Sequence, residues 1–192
     1  MSTKRKRTSL APGQTKEQMF EAYKAALANR PAPKKKAATN EKESATDAYG
    51  NTWSRIIRAT PKQLAAASAA LGVQIPKDLA ELLTRFGGGK PVRNYYANRE
   101  YGIEVSVGYL LPFADKGKVS GLATTCLSYR KAQQLSQDLV PFALDSGHAN
   151  LLCLRLPKAD VVYWLHDDSE DRVRKVAPSL ENFLAGLSEA PF

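Results

Sequence analysis

The chain has 192 residues, of which 43% are hydrophobic, enough for one sizeable packed domain and an appendage. No apolar run approaches the roughly 18 residues that a membrane-spanning helix needs. No apolar segment follows the basic residues Lys4 to Arg7, as it would in a secretion signal. We therefore expect a cytoplasmic protein with no membrane partner.

The net charge of +9 is concentrated near the N-terminus. Residues 1–50 hold 11 Lys and Arg against 5 Asp and Glu, a net +6, whereas residues 51–192 hold 17 against 14, a net +3. The basic character therefore belongs to a tail more than to a domain. Such a tail can attract nucleic acid or another polyanion weakly, or it can simply keep the chain soluble.

The first quarter of the chain has the composition of an extension. Residues 1–14 are basic and polar, so we expect disorder there. Residues 16–29 carry one apolar stripe that suits a short amphipathic helix, and residues 31–50 have the proline, lysine and alanine content of a linker. We expect a basic, largely disordered extension over 1–50 and a folded domain over 51–192.

Two helices are predicted at the start of this domain. Thr60 and Gln63 have the spacing of a capping box around Pro61, and Gly72 suits the end of the helix. A second helix is predicted from Pro76 onwards. Its apolar residues recur at helical spacing: Leu79, Leu82, Leu83 and Phe86.

A glycine run, Gly87–Gly89, follows the second helix and is itself followed by Lys90 and Pro91. A phosphate-binding loop follows a strand, precedes a helix and has Ser or Thr after its lysine. None of these conditions holds here. We predict a backbone turn that leads into a sheet.

The segment 92–102 has tyrosines among basic and amide residues. Such a mixture can stack on nucleic-acid bases, or it can contact a protein, because Tyr and Arg are enriched at interfaces. A loop or edge strand that covers the core is the more ordinary interpretation. The residues concerned are Tyr95, Tyr96, Arg99 and Tyr101.

The rest of the chain alternates between strand and helix patterns. Residues 103–109 alternate apolar and polar side chains, as a half-buried strand does, and a helix is predicted from about 122 to 136. Further strands are predicted at 140–144, 151–156 and 161–165, and the largely apolar run at 151–156 suits a strand buried on nearly both faces. A closing helix has one apolar face, made by Leu180, Phe183, Leu184 and Leu187. The order of elements predicts an α+β fold, an antiparallel or mixed sheet flanked by helices.

The sequence contains no recognisable catalytic constellation. His148 and His166 lack the spacing of metal ligands and suit polar positions at strand edges. Cys153 lies among leucines, where a thiol stays protonated, and Cys126 has similar surroundings. We expect reduced cysteines, although the sequence leaves a bridge between them open. We predict no catalytic residue, no metal site and no cofactor, and hence a protein that is not an enzyme.

A charged loop, 167–175, follows the strand predicted at 161–165. A solvated, acidic loop is the default interpretation, because no apolar neighbour is present to perturb its carboxylates. These carboxylates could instead meet a basic partner. They are Asp167, Asp168, Glu170 and Asp171.

Several segments form an ordered pattern from about residue 60 to 187. The first, Leu71 to Pro91, contains a helix end, a proline-led helix that ends in an aromatic residue, and a glycine-rich turn. The later ones are Pro141–Ala143 with Asp145, Gly147 and Asn150; Cys153–Leu154; Val162–Trp164 with His166 and Asp167; and Val176–Ala177 with Ser179, Leu180, Phe183 and Leu184. Together they resemble the SMI1/KNR4 family, also called the SUKH superfamily. The chain departs from the family pattern at His148, Ala149 and Leu180.

The resemblance implies an antiparallel sheet flanked by helices, in agreement with the order of elements. Family members are mostly bacterial immunity proteins that bind and neutralise toxins, often nucleases. A fungal branch acts as a scaffold in cell-wall synthesis and stress signalling. Neither branch implies a catalytic residue. Immunity proteins against basic nucleases are commonly acidic, whereas residues 51–192 carry a net +3.

The resemblance therefore implies a non-enzymatic protein-binding domain, and above all an immunity protein that neutralises a cognate toxin by binding it. The alternative is a regulatory scaffold or a nucleic-acid-associated protein that acts through the basic tail. Aromatic and arginine side chains can anchor a partner, and carboxylates can steer it. The candidate partner-binding residues are Tyr95, Tyr96, Arg99, Tyr101, Asp167, Asp168, Glu170 and Asp171.

Overall fold

The structure is a computed structural model that describes residues 43–117, 119–132, 134–167 and 171–191. The predicted N-terminal disorder and the helix predicted over 16–29 lie outside these residues. The described chain forms nine strands and four helices: β1 Ser44–Thr46, β2 Thr52–Ser54, α1 Pro61–Leu71, α2 Lys77–Phe86, β3 Lys90–Pro91, β4 Tyr95–Asn98, β5 Ile103–Leu110, α3 Leu122–Lys131, β6 Leu139–Asp145, β7 Leu151–Arg155, β8 Asp160–Trp164, β9 Val173–Ala177 and α4 Leu180–Ala185. The α+β fold expected from the sequence is confirmed.

The described strands form two antiparallel sheets. The smaller has the order β1-β2-β3, and the larger has the order β4-β5-β6-β7-β8-β9. Each strand of the larger sheet pairs with the strand that follows it in the chain. Helix α3 lies in the connection from β5 to β6. Each of the other connections within this sheet joins neighbouring strands as a hairpin.

The core lies on both sides of the central strands, and this explains the continuous apolar run of β7. Its residues 151–154 are all buried. Tyr129 of α3 packs edge-on against Trp164 of β8, with ring centroids 5.2 Å apart. From α4, Phe183 lies 5.1 Å from the ring of Tyr96 and 5.9 Å from that of Phe142. The closing helix is thereby fixed to strands β4 and β6.

The predicted ends of α1 are confirmed. The Thr60 hydroxyl accepts a hydrogen bond from the Gln63 backbone amide at 3.3 Å, and Gln63 Oε1 accepts one from the Thr60 amide at 2.8 Å. This is a capping box. At the other end, Gly72 has the left-handed φ of +66° that the first residue past a helix commonly adopts.

The glycine run ends α2 and leads into β3, as a backbone turn. Gly88 has a φ of +72°, and its amide donates a hydrogen bond to the Leu110 carbonyl at 2.8 Å. A Cβ on Gly88 would lie only 2.6 Å from the end of the Ile57 side chain. The left-handed φ and the nearby Ile57 side chain therefore both favour glycine at position 88.

The end of the segment predicted as a linker, 31–50, is in fact part of a β-hairpin, because β1 pairs with β2. The side chain of Asp47 organises the hairpin turn. One carboxylate oxygen accepts hydrogen bonds from the amides of Tyr49 and Asn51, both at 2.9 Å. The other accepts one from the indole of the buried Trp53 at 2.8 Å. The folded domain therefore begins before the predicted boundary at residue 50.

The charged segment ahead of the closing helix is also ordered differently from the prediction. Residues 167–175 were predicted as a loop, but β9 begins at Val173 and pairs with β8. Arg174 and Lys175 are exposed on this strand. Charged residues are common on edge strands, where they discourage further pairing, and they disguise the alternation expected of a strand.

Candidate partner-binding surface

Three connections lie at one end of the six-stranded sheet. They are 98–102 between β4 and β5, 146–150 between β6 and β7, and 165–172 between β8 and β9. In an antiparallel meander, alternate connections lie at the same end. This end, termed the sheet tip, holds Arg99 and Tyr101 of one predicted segment and Asp167 and Asp171 of the other. Residues 168–170 lie outside the described chain.

The sheet tip is also brought together sideways, because the first and last strands of the larger sheet approach each other. The ammonium group of Lys175 on β9 lies 4.7 Å from the ring centroid of Tyr101, a cation–π arrangement. Asn98 Nδ2 donates a long hydrogen bond of 3.5 Å to the Val176 carbonyl. The sheet is therefore curled so that the 98–102 connection contacts β9.

A buried carboxylate, that of Asp145, orders the turn 146–150. Oδ1 accepts hydrogen bonds from the amides of Ala149 (3.0 Å) and Asn150 (3.3 Å). Oδ2 accepts from Asn150 Nδ2 (2.9 Å) and from the Tyr163 hydroxyl (2.7 Å). Only 8% of Asp145 is exposed. The Asp and Asn of the resemblance pattern therefore hold the turn in place.

The hydroxyl of Tyr163 is held protonated by this arrangement. Burial, and then the hydrogen bond to Asp145, raise the pKa of Tyr163 to about 12.

Gly108 of β5 lets the backbone of Asp145 pass close to β5, since a Cβ at position 108 would lie 2.3 Å from the Asp145 carbonyl oxygen. The position therefore needs a glycine, in the strand opposite the turn.

The same turn positions the start of the acidic loop. Asn150 Oδ1 accepts a hydrogen bond from the His166 amide at 2.9 Å. His166 Nδ1 lies 2.6 Å from Asp167 Oδ1, and the His166 ring packs edge-on against Trp164 with centroids 6.1 Å apart. The Asp167 side chain is 92% exposed. Asp167, a predicted contact residue, is therefore exposed to solvent, and the residue before it is held in place by Asn150.

The structure removes Tyr96 from the predicted surface. Its side chain is only 5% exposed and packs against Phe183, so it belongs to the core. Tyr95 points the other way and is half-buried. A hydrogen bond with Glu104 raises the pKa of the Tyr95 hydroxyl, and the Tyr95 backbone pairs with Ser188. Neighbouring tyrosines have different environments because successive strand residues face opposite sides.

Arg99 and Tyr101 are the predicted residues that the tip does present. Arg99 is exposed, and Tyr101 is half-buried beneath Lys175. Asn98 Oδ1 accepts a hydrogen bond from the Glu100 amide at 2.9 Å and orders this turn. Lys175 was not predicted, since nothing in its local sequence indicates that it lies against a tyrosine 74 positions earlier.

The charge of the surface is mixed, although the loop was predicted to be acidic. Asp171 is exposed, and its carboxylate lies 3.2 Å from Arg174 Nε. The described part of the tip holds two of the predicted carboxylates, Asp167 and Asp171. Asp168 and Glu170 lie outside the described residues. The tip and the start of β9 also hold basic residues: Arg99, Arg172, Arg174 and Lys175.

Across the described ranges, no group of three or more His, Cys, Asp or Glu side chains is arranged to hold a metal ion. Cys126 and Cys153 are free and buried. Burial raises the pKa of both thiols, which disfavours the reactive thiolate. In the same part of the chain, no helix has the length and apolar character to cross a membrane.

Comparison with known families gives one clear result. The sequence pattern described as the SMI1 / KNR4 family (SUKH-1) matches residues 58–186, about two thirds of the chain. A search among curated proteins finds no match. The match spans every element from α1 to α4, including the buried Asp145 turn and the closing helix. The chain belongs to the SMI1/KNR4 (SUKH-1) family.

Proposed function

We propose that this chain is a cytoplasmic immunity protein that neutralises a cognate bacterial toxin by binding it, without a catalytic step of its own. The observation that carries the proposal is the family match over 58–186, since the family is mainly one of binding domains of this kind. Occlusion requires a stable scaffold and a complementary surface, and it requires no catalytic group.

The sheet tip is the surface that we propose for this contact. In its described part, backbone amides donate hydrogen bonds to the side-chain oxygens of Asp145, Asn150 and Asn98, so little ordering free energy is spent on binding. Tyr101 and Arg99 supply the kinds of side chain that anchor interfaces. Asp167 and Asp171 lie at the same end of the sheet, so the tip suits a toxin surface that itself has mixed charge.

Co-expression tests this proposal. The chain is expressed with the toxin encoded immediately upstream of its gene, and survival of the cells is counted. We expect the full chain to protect, and also a shortened chain that lacks residues 1–40 but keeps β1 intact. Failure of the full chain to protect would rule out immunity against that toxin.

A charge reversal then tests the surface. Arg99→Glu is compared with Lys62→Glu, an exposed basic position on α1 that is not part of the sheet tip. We expect Arg99→Glu to reduce toxin affinity by about tenfold or more, because it turns an anchor into a repulsive group, and Lys62→Glu to leave affinity within about twofold. Equal affinity for both variants would place the contact elsewhere.

A second candidate function rests on the charge distribution. The net +6 of residues 1–50 favours a regulatory scaffold or nucleic-acid-associated protein that acts through its tail. Under this alternative, binding to a short duplex DNA weakens steeply with added salt and disappears when residues 1–40 are removed. If the shortened chain still binds the DNA, the folded domain is what binds it. If the shortened chain still protects cells from the toxin, immunity is favoured over this alternative.

A further inference from the structure

A groove with an apolar floor and an acidic rim lies away from the sheet tip. It is bounded by the β1–β2 turn, one face of α2 and the first turns of α4, and its volume is about 290 Å³. This is at the lower limit of the roughly 300–1,000 Å³ typical of small-molecule sites, so it suits one or two side chains. The floor is made by Leu82, Phe86, Leu180 and Leu184.

The rim carries more acid than base. Asp47, Asp78, Glu81 and Glu181 line it, with Arg85 as the one basic lining residue among those described. Glu81 lies 3.8 Å from Lys77, but both side chains are largely exposed, so this ion pair is weak. Within the described ranges, the side chains of Asp78 and Glu181 have no hydrogen bond or ion pair. Their carboxylates are available to a ligand.

The pKa of Tyr49, which lines the groove, is raised by the surrounding carboxylates. Tyr49 is half-buried between the hairpin turn and the helices. Burial raises the pKa of its hydroxyl, and the nearby carboxylates of Glu181, Asp47 and Asp78 raise it further. Carboxylates from three separate elements therefore act on one point, which makes the groove locally negative in a chain whose net charge is +9.

We propose that this groove binds a segment of a partner protein in which a lysine or arginine adjoins an apolar side chain. The apolar side chain covers the leucine floor, and the cation pairs with Asp78 and Glu181. An uncharged apolar segment would desolvate these carboxylates without compensation, and nucleic acid would be repelled by them. The Tyr49 ring can add a cation–π contact.

This inference goes beyond the proposed function, since the groove and the sheet tip share no residue. A basic, apolar segment can bind here whether or not the partner is a toxin. The two tests are also separate. Protection in cells reports on immunity, whereas binding of a short peptide reports on the groove alone.

The test uses nuclear magnetic resonance of the full chain with two probe peptides. The first is acetyl-Gly-Leu-Arg-Leu-Lys-Gly-amide, and the second has glutamine in place of both cations. We expect the basic peptide to cause saturable shifts at the amides of Tyr49, Leu82 and Leu184. The glutamine peptide should bind at least about threefold more weakly, and added salt should reduce the difference.

Two double variants test whether the carboxylates of Asp78 and Glu181 bind the basic peptide. Asp78→Asn with Glu181→Gln should weaken the basic peptide about three- to tenfold, since each exposed ion pair contributes modestly. Glu100→Gln with Glu189→Gln removes the same charge from exposed positions outside the groove, and should change affinity by less than about twofold. Equal binding by both double variants, equal binding of both peptides, or an absence of saturable shifts at the groove would each overturn the proposal.

Discussion

The buried Asp145 and the groove carboxylates Asp78 and Glu181 are the same type of side chain in opposite environments within a single domain. Asp145 accepts four hydrogen bonds from its own chain and is almost fully buried. Asp78 and Glu181 are exposed and have no such partners among the described residues. A satisfied carboxylate stabilises the fold, whereas an unsatisfied one at the rim of an apolar groove is free to recognise a ligand.

The largest effect is expected where the sheet tip joins the core. Tyr96→Ala should lower the free energy of unfolding by about 3–5 kcal/mol, because it leaves a cavity against Phe183. Tyr101→Ala, only five residues away, should cost about 0.5–1 kcal/mol through loss of the Lys175 contact. Urea denaturation of both variants measures the difference. Similar losses would mean that the two tyrosines are not divided between core and surface.

The next effect concerns the buried carboxylate directly. Asp145→Ala should lower the free energy of unfolding by about 2–4 kcal/mol, because the partly buried donors of Asn150 and Tyr163 lose their buried acceptor. Asp167→Ala is the matched control, since that carboxylate is 92% exposed and its removal should cost less than about 0.5 kcal/mol. A small loss for Asp145→Ala, measured by the same denaturation, would contradict the structural role assigned to the turn.

Tyr163, which donates to Asp145, should make the stability of the domain depend on pH at high pH. The pKa of Tyr163 is raised to about 12 in the folded chain and is about 10 when unfolded. Its contribution to stability is therefore fully present below pH 10 and is lost as the pH rises from 10 towards 12, because only the unfolded chain releases the proton there. Tyr163→Phe should make the loss of stability over this range shallower. An unchanged slope would contradict the raised pKa.

The smallest effect is expected at the groove. Asp78 and Glu181 lie in the first turns of α2 and α4, where a negative charge favours the helix dipole. Neutralising each should lower the free energy of unfolding by about 0.3–1 kcal/mol, as measured by thermal denaturation. If these residues served only as helix-end charges, this small loss would be accompanied by no change in peptide binding. A loss of several kcal/mol would show that they have structural partners after all.

Much of the fold could be predicted from neighbouring residues. The capping box of Thr60 and Gln63, the left-handed Gly72 and the apolar face of α4 all depend on contacts within one helix. The continuous apolar run of β7 likewise indicated a strand covered on both sides. The family resemblance added the order of these elements, and the match over 58–186 confirms it.

The edges of the sheets were predicted less well. Strand β1 and the turn after it were assigned to a linker, because their order depends on the contact between Asp47 and Trp53. The first half of β9 was assigned to a loop, because Arg174 and Lys175 interrupt its apolar pattern. Edge residues face solvent on more sides, so composition alone does not distinguish them from loops.

The candidate site shows the same division. Sequence alone determined that tyrosines, arginine and carboxylates cluster in two segments, and that the tail is basic. Only the tertiary structure decided that Tyr96 is buried, that Lys175 lies over Tyr101, and that carboxylates from three elements line one groove. The reason is physical. Local spacing sets which residues share a helix or strand face, whereas the meeting of residues far apart in sequence depends on the path of the whole chain.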